Sequence, residues 1–329
     1  MPNLYHPERF QGSLDRRSYF EGWYFKIAIE EPKHEVIAFI PGLALGEDSH
    51  AFIQVISSKE GRSWYVRFPL ASFHAGTNNF SITKGDNHFS KDSIRLSLHQ
   101  SDLDLEANLT LIDLQPFPVS LTCVGVMGWF AYLPAMECKH GVVATKGAAE
   151  GNVRLNNRTM QITKSSFYSE KDWGKSFPSA YLWMQANCFS DPSTSVMLSI
   201  ARIPYLGLRF TGFLGFVQLR DEMIHLGTYT NAKIVSLQST DQEAKIVISK
   251  KDKLLTFTAR MGNSSHLASP RNGAMQGTII ESVEGNLSLS ITDRNARTLY
   301  TDESGLAGIE LYNSSILQKH SAMEAHKKV

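Results

Sequence analysis

Cysteine is scarce in this chain of 329 residues: Cys123, Cys138 and Cys188 are odd in number and widely spaced. They form no CxxC pair and no disulfide framework, which predicts a reducing, cytoplasmic setting. An excess of charge of either sign is also missing. Thirty-three basic residues stand against 32 acidic ones, for a formal net charge of +1. That balance lacks the basic stripe of a nucleic-acid binder, so no nucleic-acid partner is expected. The cluster Lys319, Lys327 and Lys328 reads as a solvated tail. No apolar h-region lies between Met1 and Phe10, which argues against a secretory signal. There is no GxGxxG, no Walker A loop and no GxSxG elbow, so dinucleotide, nucleotide-hydrolase and α/β-hydrolase chemistries are poor readings. The eleven histidines contain no HxH or HExxH pair. Cys138-x-His140 is too short on its own for a zinc site. Neither a metal nor another cofactor is expected.

Helical periodicity is missing as well, outside about the last fifteen residues. What is present is a two-residue period. Trp23, Phe25, Ile27 and Ile29 alternate with Tyr24, Lys26 and Ala28, and the same rhythm recurs at Ile94-Leu96-Leu98, Leu103 to Leu111, Val196-Leu198-Ile200 and Leu287-Leu289-Ile291. Turn chemistry separates these runs at Pro41-Gly42, Lys84-Gly85-Asp86-Asn87, Asn156-Asn157, Asp191-Pro192, Asn272-Gly273 and Glu284-Gly285-Asn286. Many short strands at this spacing predict an all-β protein of sandwich or barrel type. The Lys146–Gly151 stretch interrupts the pattern, which places a first domain at 1–148 and a second at 149–329. Leu114 to Met136 carries no charge. Its three prolines and two glycines make it a poor spanning helix. It reads as a buried strand with apolar loops that touch a lipid surface, giving peripheral membrane contact.

The densest chemistry lies in Glu170-Lys171-Asp172-Trp173-Gly174 and the following Tyr181-Leu182-Trp183-Met184-Gln185-Ala186-Asn187. If the second stretch is extended, Tyr181, Trp183, Gln185 and Asn187 share one face, and Leu182, Met184 and Ala186 the other. An aromatic face with two amides suggests the lining of a cavity for a large apolar ligand with a polar head. A Trp-Gly or Gly-Trp element leads into an aromatic strand in each half, at Gly22-Trp23 and at Trp173-Gly174. In a lipocalin-type barrel such an indole closes one end, so two tandem barrels are expected, the second carrying the Glu170–Gly174 motif.

Taken together, Phe20-Glu21-Gly22-Trp23-Tyr24-Phe25-Lys26, Met136-Glu137-Cys138-x-His140-Gly141, Glu170 to Gly174 with Phe177-Pro178, and Trp183, Gln185 and Asn187 resemble the tocopherol cyclase family. Ile203-Pro204 to Gly212-Phe213 resembles it too. The resemblance touches most of the chain from about Tyr19 to Phe216 and is slight over the last hundred residues. It implies a lipocalin-like β fold and ring closure of a prenylated quinol, a vitamin E precursor, to a chromanol, a chemistry that itself requires no redox cofactor or metal. More distantly, the Trp-Gly element is similar to one in carotenoid hydratases, which have a histidine where this chain has Lys171.

Such a cyclisation needs a proton for a trisubstituted alkene, aromatic faces for developing positive charge, and a dry pocket. Asp172 is the first candidate for the acid and Glu170 the second. The structural alternative is an Asx-turn at Asp172, with Lys171 pairing with Glu170 at the surface. Trp23, Trp173, Tyr181 and Trp183 are candidate substrate contacts, with barrel plugs as the alternative for the indoles. Gln185 and Asn187 suit hydrogen bonds to a quinol head. Glu137 and His140 form an acid/base pair or orient a phenol, unless His140 is a satisfied structural histidine. Glu21 reads as half of a core-edge salt bridge. Two further functions fit these residues: a non-catalytic carrier of an isoprenoid or lipid, and a hydratase or isomerase acting on an isoprenoid alkene. Exposed Asp172 and Glu170 would favour the carrier, because burying carboxylates in a cavity that does no chemistry is costly.

Overall fold

The computed structural model describes residues 3–30, 34–76, 78–121, 123–220 and 222–318. The alternating runs become strands, and the protein is all-β. Beyond two short 3-10 segments, a helical turn at 315–318 is the described part of the region with helical periodicity, and the remainder lies outside the described residues.

The first sheet comprises β1 (Tyr19–Ile29), β2 (Glu35–Leu45), β3 (His50–Ser57), β4 (Arg62–Pro69), β5 (Phe73–Ala75), β6 (Ser81–Lys84), β7 (Asn87–Ser90), β8 (Ser93–Gln100), β9 (Leu103–Pro116), β10 (Cys138–Leu155) and β11 (Arg158–Gly174). Its order is β4-β3-β2-β1-β11-β10-β9-β8-β7-β6-β5. Neighbours in sequence are neighbours in this order except β4 and β5, which stand at its two ends, and β11 returns to lie antiparallel beside β1. Trp23, Phe25, Ile27 and Ile29 of β1 turn inward onto Phe39, Val55, Phe89, Leu105 and Phe167. A slip of one residue would send that whole set outward, so this core fixes the β1–β11 register.

The second sheet comprises β12 (Tyr181–Ala186), β13 (Ser195–Tyr205), β14 (Leu208–Gln218), β15 (Met223–Gly227), β16 (Lys233–Ser239), β17 (Glu243–Lys250), β18 (Lys253–Arg260), β19 (Ser264–Arg271), β20 (Ala274–Asp293) and β21 (Thr298–Tyr312). Its order is β15-β14-β13-β12-β21-β20-β18-β17-β16, with β19 beside β20. The wiring repeats that of the first sheet: the entry strand, here β12, pairs with the last strand, β21. Leu182, Met184 and Ala186 belong to its separate core, with Val196, Leu198, Ile246 and Phe257.

Contacts divide the chain into a unit of 1–125, 138–177 and 267–278, and a unit of 126–137, 178–266 and 279–329. The expected boundary at 148/149 therefore falls inside β10, and the Glu170–Gly174 motif ends the first sheet instead of entering a second. The reason is local. Lys146–Gly151 breaks the alternation because β10 is bulged there, with register shifts at Ala144/Gly147 and Ala149/Gly151, and a bulge bends a strand without ending it. Two expected turns also lie within strands. Pro41-Gly42 sits in β2, where the pairing with β1 lapses between Phe39 and Gly42, so proline's missing N–H costs no ladder bond. Gly285 sits at a register shift of β20.

The uncharged Leu114–Met136 run is mostly not strand. It contains a 3-10 segment, Gly125–Tyr132, with Val126, Met127 and Ala131 buried and Trp129 and Tyr132 exposed. Among the described residues no helix is long and apolar enough to cross a membrane.

Candidate active site

Pairing of β1, β11 and β10 aligns the sequence motifs side by side. Trp23 lies opposite Lys171, Gly22 opposite Asp172 and Tyr24 opposite Glu170; on the other edge of β11, His140 lies opposite Asp172. Alternation then divides Glu170-Lys171-Asp172-Trp173 between the two faces of the sheet. Lys171 and Trp173 go inward with Glu21 and Trp23. Glu170 and Asp172 go to the opposite face with Tyr168 and His140.

The inward set is a closed ion pair. Lys171 Nζ stands 2.6 Å from Glu21 Oε1, and both side chains are fully buried. The ammonium also lies over the Trp23 and Trp173 rings, 4.7 and 5.0 Å from their centroids, and donates to Arg9 O. Glu21 accepts from the Tyr19 hydroxyl and the Gln11 and Gly12 amides. Burial pushes the Lys171 pKa down although Glu21 pulls it up. Burial, with the Glu21 charge, pushes Tyr19 far above the ordinary phenol value. Trp23 and Trp173, two of the expected substrate contacts, thus already hold the protein's own cation, and Trp23 donates its Nε1–H to Glu8 O. Lys171 pairs with Glu21 in the interior, not with Glu170 at the surface.

The opposite face carries a different group. His140 Nδ1 is 2.9 Å from Asp172 Oδ1, and its Nε2 is 3.3 Å from Glu170 Oε2. Tyr168 donates its hydroxyl to the same Glu170 oxygen at 2.6 Å, and Cys138 Sγ lies 3.7 Å from Asp172 Oδ1. Burial opposes a charge on His140, but the two carboxylates outweigh it and hold the pKa well above the ordinary histidine value. Tyr168 is pushed well above the ordinary phenol value by burial, by the Glu170 charge and hydrogen bond, and by Asp172. Glu170 is buried and Asp172 is 28% exposed at its side chain, so Asp172 is the open end of the cluster. The ligand-capable atoms of His140, Glu170 and Asp172 all lie within 4.8 Å of one another.

Inside the first barrel is a cavity of about 580 Å³, lined by Phe25, Phe80, Leu111, Leu114, Phe167 and Ser169, with Tyr5 to Arg9 at its rim. Ser169, between Tyr168 and Glu170 in sequence, faces it while its neighbours face away.

The remaining expected residues lie elsewhere. Tyr181, Trp183, Gln185 and Asn187 do share a face opposite Leu182, Met184 and Ala186, and all four are buried. They do not line the first barrel's cavity. Tyr181 donates to Glu310 Oε2 at 2.5 Å, and Gln185 Nε2 donates to Asn187 Oδ1 at 3.3 Å. Glu137 belongs to the second unit, where burial pushes its carboxyl up and Arg209 pulls it back. Sequence reasoning missed Tyr168 and Tyr19. Each stands two residues before a candidate carboxylate, the spacing that puts two side chains on one face of a strand.

The model of the family described as "Tocopherol cyclase-like" matches residues 120–312. The chain belongs to this tocopherol cyclase-like family. The match takes in the C-terminal strands, where the sequence resemblance is slight, and begins after β1. A probable chloroplastic tocopherol cyclase of Oryza sativa subsp. japonica is 32% identical over 74 residues, and the tocopherol cyclase of Zea mays is 31% identical over 74 residues. Each alignment covers 22% of this chain and 16% of the relative. The crystal structure of a Nitrosomonas europaea protein described as AttH superposes with a TM-score of 0.54 at 13% identity, covering 93% of this chain and 96% of that one. That likeness is one of fold, two β-barrels in tandem.

Proposed function

We propose that this tocopherol cyclase-like protein is an enzyme that closes a ring on a prenylated quinol or related isoprenoid, with the His140–Glu170–Asp172 cluster as its acid. One observation carries the reading: a buried imidazole whose two nitrogens each meet a carboxylate. An imidazolium–carboxylate pair and an imidazole–carboxylic acid pair differ by one proton moving along the 2.9 Å contact between His140 and Asp172. That shared proton can be presented at Asp172, the open end of the cluster. Tyr168 and Glu170 fix the ring from the other side.

The chemistry balances within the substrate and this cluster. Asp172 gives a proton to the less substituted alkene carbon, forming a C–H bond and leaving the more substituted carbon electron-deficient. The phenol oxygen bonds to that carbon, and its proton returns to the cluster. The net change is an isomerisation, with no redox step. Burial of Tyr168 and Glu170 limits water at this face, which favours phenol over water as the nucleophile.

The carrier reading has its own support in the first barrel's cavity. Glu170 and Asp172 stand on the opposite face of the sheet from that cavity, so a carrier that uses the cavity gives no reason for their costly burial, and this favours the enzyme. Incubation with a phytylated dimethylhydroquinone, followed by chromatography, should yield the chromanol. Asp172→Asn should lower turnover by at least about a hundredfold, on the scale of a general acid's contribution, with substrate affinity within about threefold. Unchanged turnover in that variant would remove Asp172 from the acid role. Tight, saturable binding without conversion would favour the carrier.

A further inference from the structure

The second unit ends one of its hairpins in a turn whose chemistry is wrong for a turn and right for an apolar phase. Tyr205 pairs with Leu208, so Leu206-Gly207 is a two-residue connection between β13 and β14. Both residues have positive φ, +49° and +80°. That conformation suits Asn-Gly or Asp-Gly, and a bulky side chain at such a φ is an outlier. Packing does not explain the leucine, because Leu206 is 78% exposed and Leu208, just beyond the turn, 74% exposed. A strained leucine held out into solvent serves neither the turn nor the core.

The surroundings share this character. The 3-10 segment Gly125–Tyr132 exposes Trp129 (50%) and Tyr132. Within the same unit Tyr229 donates its hydroxyl to Val126 O, and its ring packs on Phe130 at 5.6 Å. Gly128 fits because a Cβ there would lie 2.2 Å from the Tyr229 ring. This anchor sits at the Gly227–Leu214 end of the β14–β15 ladder. Farther along the chain, Glu137 lies within electrostatic reach of Arg209, the second residue of β14 after the hairpin tip. From Arg202 to Arg220 the sequence has no acidic residue, and two arginines, Arg202 and Arg209, lie on the tip half of the hairpin, whereas Arg220 follows the far end of β14. In the second unit's part of the segment, Glu137 is the lone charge, and burial raises its carboxyl.

The geometry points to a membrane-docking surface: the Leu206–Leu208 tip and the Trp129–Tyr132 segment insert at the interface of a lipid bilayer that carries anionic headgroups. Leucines at a loop tip enter the acyl region, half-exposed Trp and Tyr match headgroup depth, and flanking arginines meet anionic phosphates. A second copy of the chain fits less well, since like-charged tips would face each other. This surface stands whether or not the cyclisation reading holds.

The test is co-sedimentation of the full chain with vesicles of phosphatidylcholine and phosphatidylglycerol, and with phosphatidylcholine alone. The wild-type chain should partition to both and favour the anionic vesicles at low salt. Leu206→Asn suits the turn better than leucine, so its melting temperature should stay the same or rise while partitioning falls at least about tenfold, as removal of one inserted leucine predicts. Leu208→Gln should act in the same direction. Val235→Thr, at an exposed apolar position on β16, should change nothing. Unaltered partitioning of Leu206→Asn, or no wild-type binding to either vesicle, would overturn the proposal. A wild-type dimer that Leu206→Asn converts to monomer would overturn it in favour of self-association.

Discussion

Among single residues, Lys84 is the hardest to account for by packing alone. Its side chain is fully buried on β6, with the Phe52 carbonyl 2.9 Å from Nζ and the Phe52 and Phe73 rings 5.8 and 5.6 Å away. Burial pushes its pKa well below the ordinary lysine value. Lys171, equally buried, instead has Glu21 at 2.6 Å. The sign of the linkage at Lys84 depends on which state holds the proton. At neutral pH the unfolded chain binds a proton there that the folded chain binds less well, so folding releases it. Stability then rises with pH between the depressed pKa and about 10.4, by up to about 1.4 kcal/mol per unit. Lys84→Met should remove that slope. In urea unfolding the variant should be the more stable at pH 6, with the gap to wild type closing toward pH 10. A gap independent of pH would mean that Lys84 is charged in the fold.

Among elements, β10 shows how a strand can be read correctly as a pattern and wrongly as a boundary. Gly151 has φ +137°, and a Cβ there would fall 2.1 Å from Asn108 O on β9. Gly151→Ala should cost about 1 kcal/mol or more, seen as a lower urea midpoint with unchanged slope. An unaltered midpoint would show that the bulge relaxes. The two-residue period revealed the strands, the inward set of β1 and the two faces of β12, because burial writes itself into alternation. It did not reveal that Trp173-Gly174 closes the first sheet, since a closing strand and an entry strand carry the same alternation. Nor did it pair His140 with Glu170 and Asp172. Those residues lie about thirty positions apart, and the β10 bulges that set their register leave no periodic trace. The acid candidates were visible because they stand two apart; their histidine was visible only as a residue type.

At the scale of the whole molecule, the first unit does not end where its last sheet strand ends. Residues 267–278 count with it. Gln54, buried on β3, accepts from the Ala268 N–H at 2.9 Å and donates to Ala268 O at 3.1 Å. Phe177 N–H donates to Pro270 O at 3.3 Å, and Gly273 N–H to Lys175 O at 2.6 Å. Without these residues Gln54 would keep a buried amide with neither partner, at about 1–3 kcal/mol for the unsatisfied groups. The fragment 1–177 should therefore unfold at a lower urea midpoint than the same unit in the intact chain, tracked by tryptophan fluorescence. Equal midpoints would make 267–278 an ornament.

The 267–278 segment sets an order of events during synthesis. A domain whose chain is continuous can fold as soon as it clears the ribosome, before the next domain has been made. Here the Ala268 groups that Gln54 requires are translated more than two hundred codons after Gln54 itself. At roughly 5–20 residues per second, that is an interval of about 10–40 s in which β3 is made and its partner is not. Nascent chains stalled before residue 267 should thus carry the first unit incomplete, with the Gln54 amide still open to water or to a chaperone.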